Sequence, residues 1–207
     1  MSARACVVLV HGLWYGRPSM LPLARRLKQR GWECRLFGYS SVRRGPAENI
    51  VRLRDWLVEL DRGPLHLVGH SLGGLMIAKL LVESHALLPP GRAVLLGSPL
   101  RGSSVARRMA GYRVLKPWIG KAIELLEPGL ERLPPEHPVG AIAGTSSLGA
   151  GQLIAHLEKP HDGTVSVAET RAAGLAGHLQ LPVSHTGLVL SRQVAEATDR
   201  FLRNARF

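Results

Sequence analysis

Apolar residues along this chain follow two spacings. Short segments with an apolar centre recur at 5–10, 33–39, 65–69, 93–97, 139–144 and 179–183. Their length and valine-leucine content predict strands, several of them buried on both faces. Between them the apolar positions shift to helical spacing. Leu21, Ala24 and Leu27 share a face across 18–29, with Pro18 near the start and Gly31 past the end. Ile50, Leu53, Leu57 and Leu60 do the same across 47–60, and further helices are predicted over 72–83 and 191–202. Strands alternating with helices predict an α/β fold: about six mainly parallel strands with helices on both faces.

One stretch departs from this alternation. Residues 98–138 are long for a connection and hold two helix-like pieces, 104–110 and 119–126, before a proline-rich segment. They are expected to form a lid or substrate wall inserted between strands. With 207 residues, 45% of them hydrophobic, the chain is expected to form one domain over 1–207.

Charge adds a second theme. The net charge is +12, which favours anionic partners. The basic residues are scattered, however, and no run of five occurs, so a solvated arginine-rich surface is the plainer reading. Aromatic residues are only 5% of the chain, which argues against a stacking platform for nucleic acid, and no nucleic-acid partner is expected. Arg101, Arg107, Arg108, Arg113, Lys116 and Lys121 do gather in the 98–138 segment, placed to steer anionic esters or to dock on an anionic membrane surface. The first apolar run is too short for a signal peptide and no stretch has transmembrane length, so a cytoplasmic location is expected. Cys6 and Cys34 each begin a strand-like run and form no disulfide framework.

The chemistry starts at Leu67-Val68-Gly69-His70-Ser71-Leu72-Gly73-Gly74. A serine between a strand and a helix, flanked by glycines two residues away on each side, has the context of a nucleophile elbow. The tight turn lifts the hydroxyl off the sheet, and the following helix aims its amide dipoles at any oxyanion formed there. Serine needs a base. Of nine histidines, His185 follows the last strand and so reaches the same sheet edge as Ser71. His178 begins that strand; His66 and His70 lie along the serine's own strand. An imidazole base needs an orienting carboxylate. Asp55 and Asp61 precede Ser71 and Asp199 lies on the last helix, so Asp162 alone falls between Ser71 and His185; Glu158 and Glu169 are the fallback. Backbone amides of Leu72 and Leu13 are the expected oxyanion donors. His11, Trp14, His70 and Leu100 are candidates for the substrate pocket. His156, His161, Asp162, His178 and His185 crowd one span, but their spacing fits no zinc motif, so neither metal nor cofactor is expected.

Five motifs in order carry a resemblance. HGLW at 11–14 resembles a lipase oxyanion loop, and GHSLGG at 69–74 a lipase elbow. GSPLRGS at 97–103, HDGTVSV at 161–167 and VSHTGL at 183–188 resemble the segments that follow in bacterial lipases. Together they resemble the α/β-hydrolase superfamily, and within it the small lipases and esterases. The resemblance implies a Ser71-Asp162-His185 triad, Leu13 and Leu72 as oxyanion donors, and a small-molecule or lipid ester as substrate. It also implies a trimmed fold, because the chain starts at what resembles the family's third strand. A thioesterase, amidase or acyltransferase on the same site, and a basic, non-catalytic binder, are the alternatives.

Overall fold

A computed structural model of the chain describes residues 5–60, 63–130, 132–148 and 157–207. Asp61 and His156 lie outside the described residues. Six strands, β1 (Cys6–Val10), β2 (Glu33–Phe37), β3 (Leu65–His70), β4 (Ala93–Leu96), β5 (Val139–Gly144) and β6 (Gly177–Leu181), form one parallel sheet in the order β2-β1-β3-β4-β5-β6. The chain runs outward from β1 to β2, then returns to place β3 on the other side of β1. That reversal opens a crevice at the carboxyl ends of β1 and β3, where ligands bind in open α/β sheets.

The four central strands, β1, β3, β4 and β5, are buried throughout because they are largely apolar on both faces, whereas the edge strands β2 and β6 are only partly buried. In β1, Cys6, Val8 and Val10 face one core and Val7 and Leu9 face the other. Helices α2 (Pro46–Glu59) and α3 (Leu72–Ser84) cover the first face with Leu53, Leu57, Leu75, Met76 and Leu80. Helices α1 (Leu21–Gln29) and α8 (Arg192–Asn204) cover the second with Leu23, Leu27, Val194 and Phe201. Truncating one of these buried leucines to alanine costs about 2–5 kcal/mol.

Element ends differ from the sequence expectation for identifiable reasons. β2 stops at Phe37, short of 39, because its neighbour β1 ends at the register partner Val10. β6 spans Gly177–Leu181 instead of 179–183, since Pro182 has no N–H to continue the ladder. The first helix begins as a 3₁₀ turn, Arg17–Met20, and becomes α-helical only at Leu21; the missing N–H of Pro22 interrupts a continuous ladder there. Cys6 and Cys34 lie on adjacent strands.

The 98–138 excursion folds as α4 (Ser104–Gly111), α5 (Lys116–Ile119), a 3₁₀ turn at Gly120–Ala122 and α6 (Ile123–Leu126). Ser103 Oγ caps α4 by accepting from the Ala106 N–H at 3.1 Å. A short helix α7 (Gly187–Leu190), which has too few turns to show a period, follows β6. Among the described residues no helix is long and apolar enough to cross a membrane.

Candidate active site

Ser71 sits between β3 and α3 with φ 54° and ψ −120°, a region that non-glycine residues avoid. Holding it there costs about 1–3 kcal/mol, which the surrounding structure must offset. The flanking glycines explain how the turn closes. A Cβ on Gly69 would run into the Gly74 backbone, and one on Gly73 into the carbonyls of Val10 and His11. The Ser71 N–H donates to the Leu96 carbonyl at 2.8 Å, tying the elbow to β4. Leu72 follows as the first residue of α3, so its N–H belongs to the unsatisfied, positive end of the helix.

Asp162 and His185 come from loops beyond β5 and β6. His185 Nδ1 donates to Asp162 Oδ2 at 2.7 Å. A carboxylate only accepts, so Nδ1 carries a proton; in the neutral ring that leaves the lone pair on Nε2. The other carboxylate oxygen accepts the N–H groups of Thr164 and Val165 at 2.9 and 2.8 Å. The two loops also bond through their backbones, His185 N–H to the Asp162 carbonyl at 2.9 Å. Asp162 is 1% exposed and His185 8%, so the pair is shielded from competing water. Ser71 and His185 both line one pocket.

Two further groups underpin the pair. Gly97, with φ +55°, lies beside it: a Cβ there would stand 3.0 Å from Asp162 Oδ2, 3.1 Å from His185 Nδ1 and 2.6 Å from Leu188 Cδ1. The sequence placed Gly97 in the GSPLRGS motif but gave no sign of this contact. His70 packs its ring 4.7 Å from that of His185 and donates from Nε2 to the His185 carbonyl at 3.0 Å. Burial, reinforced by the neighbouring His185, holds its pKa down to about 3. It is a neutral strut at any physiological pH.

The loop after β1 is fixed in a similar way. His11 Nδ1 donates to the Gly12 carbonyl at 2.9 Å, and its Nε2 accepts the Tyr39 N–H at 3.4 Å. Tyr39 stacks on the imidazole at 4.4 Å and donates its hydroxyl to the His11 carbonyl at 2.9 Å. Burial lowers the His11 pKa, keeping the neutral form this arrangement requires. Trp14, at φ 62°, donates its N–H to Ser41 Oγ at 3.1 Å.

A family model for the alpha/beta hydrolase family matches residues 7–203. The chain belongs to the alpha/beta hydrolase family. Solved structures agree on the fold. A lipase from Bacillus licheniformis in its mature form superposes with a TM-score of 0.77 at 16% identity, over 99% of this chain and 93% of that one. A metagenomic carboxyl esterase gives 0.72 at 19% identity, over 98% and 76%. A lipase-esterase related protein from Clostridium acetobutylicum gives 0.63 at 12% identity, over 97% and 93%. No curated protein matches the chain in sequence.

In this alpha/beta hydrolase the pocket has a volume of about 300 Å³. Leu13 and Trp14 form one side of it, with Met109, Ile119 and Leu126 from the 98–138 segment on another. Of the four pocket residues expected from sequence, only Trp14 lines it. Leu100 is fully buried in the core. His11 and His70 are buried too, each turned toward backbone acceptors rather than the pocket. The fallback acid Glu169 is occupied elsewhere, accepting the N–H groups of Ser104 and Ser166 at 2.6 and 2.8 Å. His161 Nδ1 accepts the Gly163 N–H at 3.1 Å, and His178 bonds the Thr170 hydroxyl at 2.8 Å. Among the described residues no three histidine, cysteine or carboxylate side chains converge as a metal site would require.

Proposed function

We propose that this protein is a serine hydrolase that cleaves carboxylic esters through an acyl-enzyme, with Ser71 as nucleophile, His185 as base and acid, and Asp162 as its orienting carboxylate. The observation that supports this most is the 2.7 Å His185–Asp162 bond within a buried site whose His185 shares a pocket with a serine held at positive φ.

The chemistry follows from those positions. His185 Nε2 takes the hydroxyl proton as Ser71 Oγ attacks the ester carbonyl. The imidazolium that forms is stabilised by Asp162, which remains ionised. Negative charge develops on the carbonyl oxygen, where the N–H groups of Leu72 and Leu13 stabilise it. His185 then protonates the departing alkoxide, breaking the C–O bond and leaving the acyl group on Ser71. Water, deprotonated by His185, attacks that ester and releases the acid and the serine.

His11 is a positioning residue in this scheme. The Gly12 carbonyl and the Leu13 N–H belong to one trans peptide and point in opposite directions. By holding the carbonyl, His11 Nδ1 turns the Leu13 N–H the other way. The apolar lining supplied by Leu13, Met109, Ile119 and Leu126 suits an acyl chain. The test is turnover of chromogenic esters of graded acyl length by the wild type and by Ser71→Ala. Hydrolysis abolished in the variant supports the reading; equal hydrolysis by both proteins overturns it.

A further inference from the structure

The segment forming one wall of the pocket has two contrasting sides. Val105, Met109, Ile119 and Leu126 turn inward, buried, onto the pocket. Outward it exposes Val114 (78%) and Trp118 (65%), beside a half-exposed Tyr112. Trp14, 55% exposed on the pocket rim, donates its indole N–H to the Trp118 carbonyl at 2.6 Å, so the backbone that carries Trp118 is tied to the rim of the pocket. Large aromatic side chains left in contact with water at the entrance of a site mark a surface that something covers.

Charge indicates what covers it. Arg101, Arg107, Arg108, Arg113, Lys116 and Lys121 are all exposed, and residues 84–123 contain no aspartate or glutamate. Among the described residues none of the six forms an ion pair, although other surface arginines do, as Arg44 with Glu48 and Arg192 with Glu196. Arg108 instead lies over the Tyr112 ring, 5.3 Å from its centroid, and Arg107 reaches the Glu127 carbonyl. Tryptophan and tyrosine interleaved with unpaired cations is the composition that partitions into the headgroup layer of a bilayer, the rings at the acyl boundary and the cations on anionic headgroups.

We infer that the outer side of 101–121, together with Trp14, docks the protein on an anionic phospholipid bilayer with the pocket mouth facing the membrane. Docking this way brings the site to esters held in the bilayer. The inference deepens the esterase reading but rests on a surface outside the catalytic residues, so the two can fail separately.

The experiment measures binding, not turnover. Ser71→Ala protein is co-sedimented with vesicles of phosphatidylcholine alone and of phosphatidylcholine with phosphatidylglycerol. Tryptophan emission is followed in parallel. Binding to the anionic vesicles is expected, weakening with added salt and accompanied by a blue shift of emission. Each cation near a charged surface contributes about fivefold in affinity, so Arg113→Glu with Lys116→Glu is expected to lower it by more than about 25-fold. Trp118→Ala is expected to weaken binding and reduce the blue shift. In the Ser71 background the charge-reversal pair should leave hydrolysis of a soluble short-chain ester unchanged. Equal affinity for neutral and anionic vesicles, binding unaffected by the charge reversal, or retention of duplex DNA with no vesicle binding would each overturn the inference. Vesicle binding without any ester hydrolysis would leave the docking surface standing and remove the esterase reading.

Discussion

The floor and the wall of the pocket are built differently. The floor is the elbow with the Asp162 and His185 loops, held by directional bonds to backbone: the Ser71 N–H to the Leu96 carbonyl, the Asp162 carboxylate to the Thr164 and Val165 N–H groups of its own loop, and the His185 N–H to the Asp162 carbonyl. The wall, residues 98–138, is short helices interrupted at Gly120, and among the described residues it meets the pocket mainly through apolar side chains such as Met109 and Ile119, with Ser103 the one polar residue. Directional bonds hold atoms to a fraction of an ångström, as proton transfer requires. Apolar contact is non-directional and tolerates changes of shape. In the proposed esterase, the floor would set whether the reaction occurs and the wall which acyl group undergoes it.

Substitutions can break that division. The largest effect is expected at Ser71→Ala, where ester turnover should fall about 10⁶-fold with the thermal unfolding midpoint preserved. Asp162→Asn keeps the shape but no longer imposes the Nδ1–H tautomer; steady-state kinetics should show kcat about 10⁴-fold lower. His11→Phe retains the stacking on Tyr39 and removes the bond to the Gly12 carbonyl. It should lower kcat by about 10²-fold with little change in KM, because the lost interaction is made only in the transition state. A change in KM alone would place His11 with the wall. Ile119→Ala should leave turnover of short esters intact and move the preference toward longer or branched acyl groups by about tenfold, read from kcat/KM across an ester series. If Ile119→Ala instead removed all activity, the division itself would be wrong.

The smallest effect concerns stability. His70 and His66 have their pKa held down to about 3 and about 4 by burial, against 6.5 unperturbed. Below pH 6.5 the unfolded chain takes up protons that the folded one refuses, so folding should weaken steadily as pH falls from about 6.5 toward 3. Denaturant midpoints measured across that range should decline. In His70→Gln, which keeps a donor for the His185 carbonyl, the slope should be shallower.

Local pattern was enough for most of the scaffold. The apolar segments and helical spacings located the six strands and α1 to α3, because burial on both faces or on one stripe leaves a periodic trace in the residues themselves. Short elements left none: α5 and α7 have four residues each, too few for a period to emerge. The elbow was legible because its glycines, its serine and the helix after it are contiguous. Position along the chain pointed to Asp162 and His185, which the structure joins by a 2.7 Å bond. Only tertiary structure decided the rest. It turned His70 beneath the site to hold a carbonyl 115 residues away and put Leu100 in the core. It also set Gly97 against the His–Asp pair, and Trp14 beside Trp118, 104 positions apart. Those placements depend on how separate elements pack, and which way a side chain faces across a packed interface has no period along the chain to reveal it.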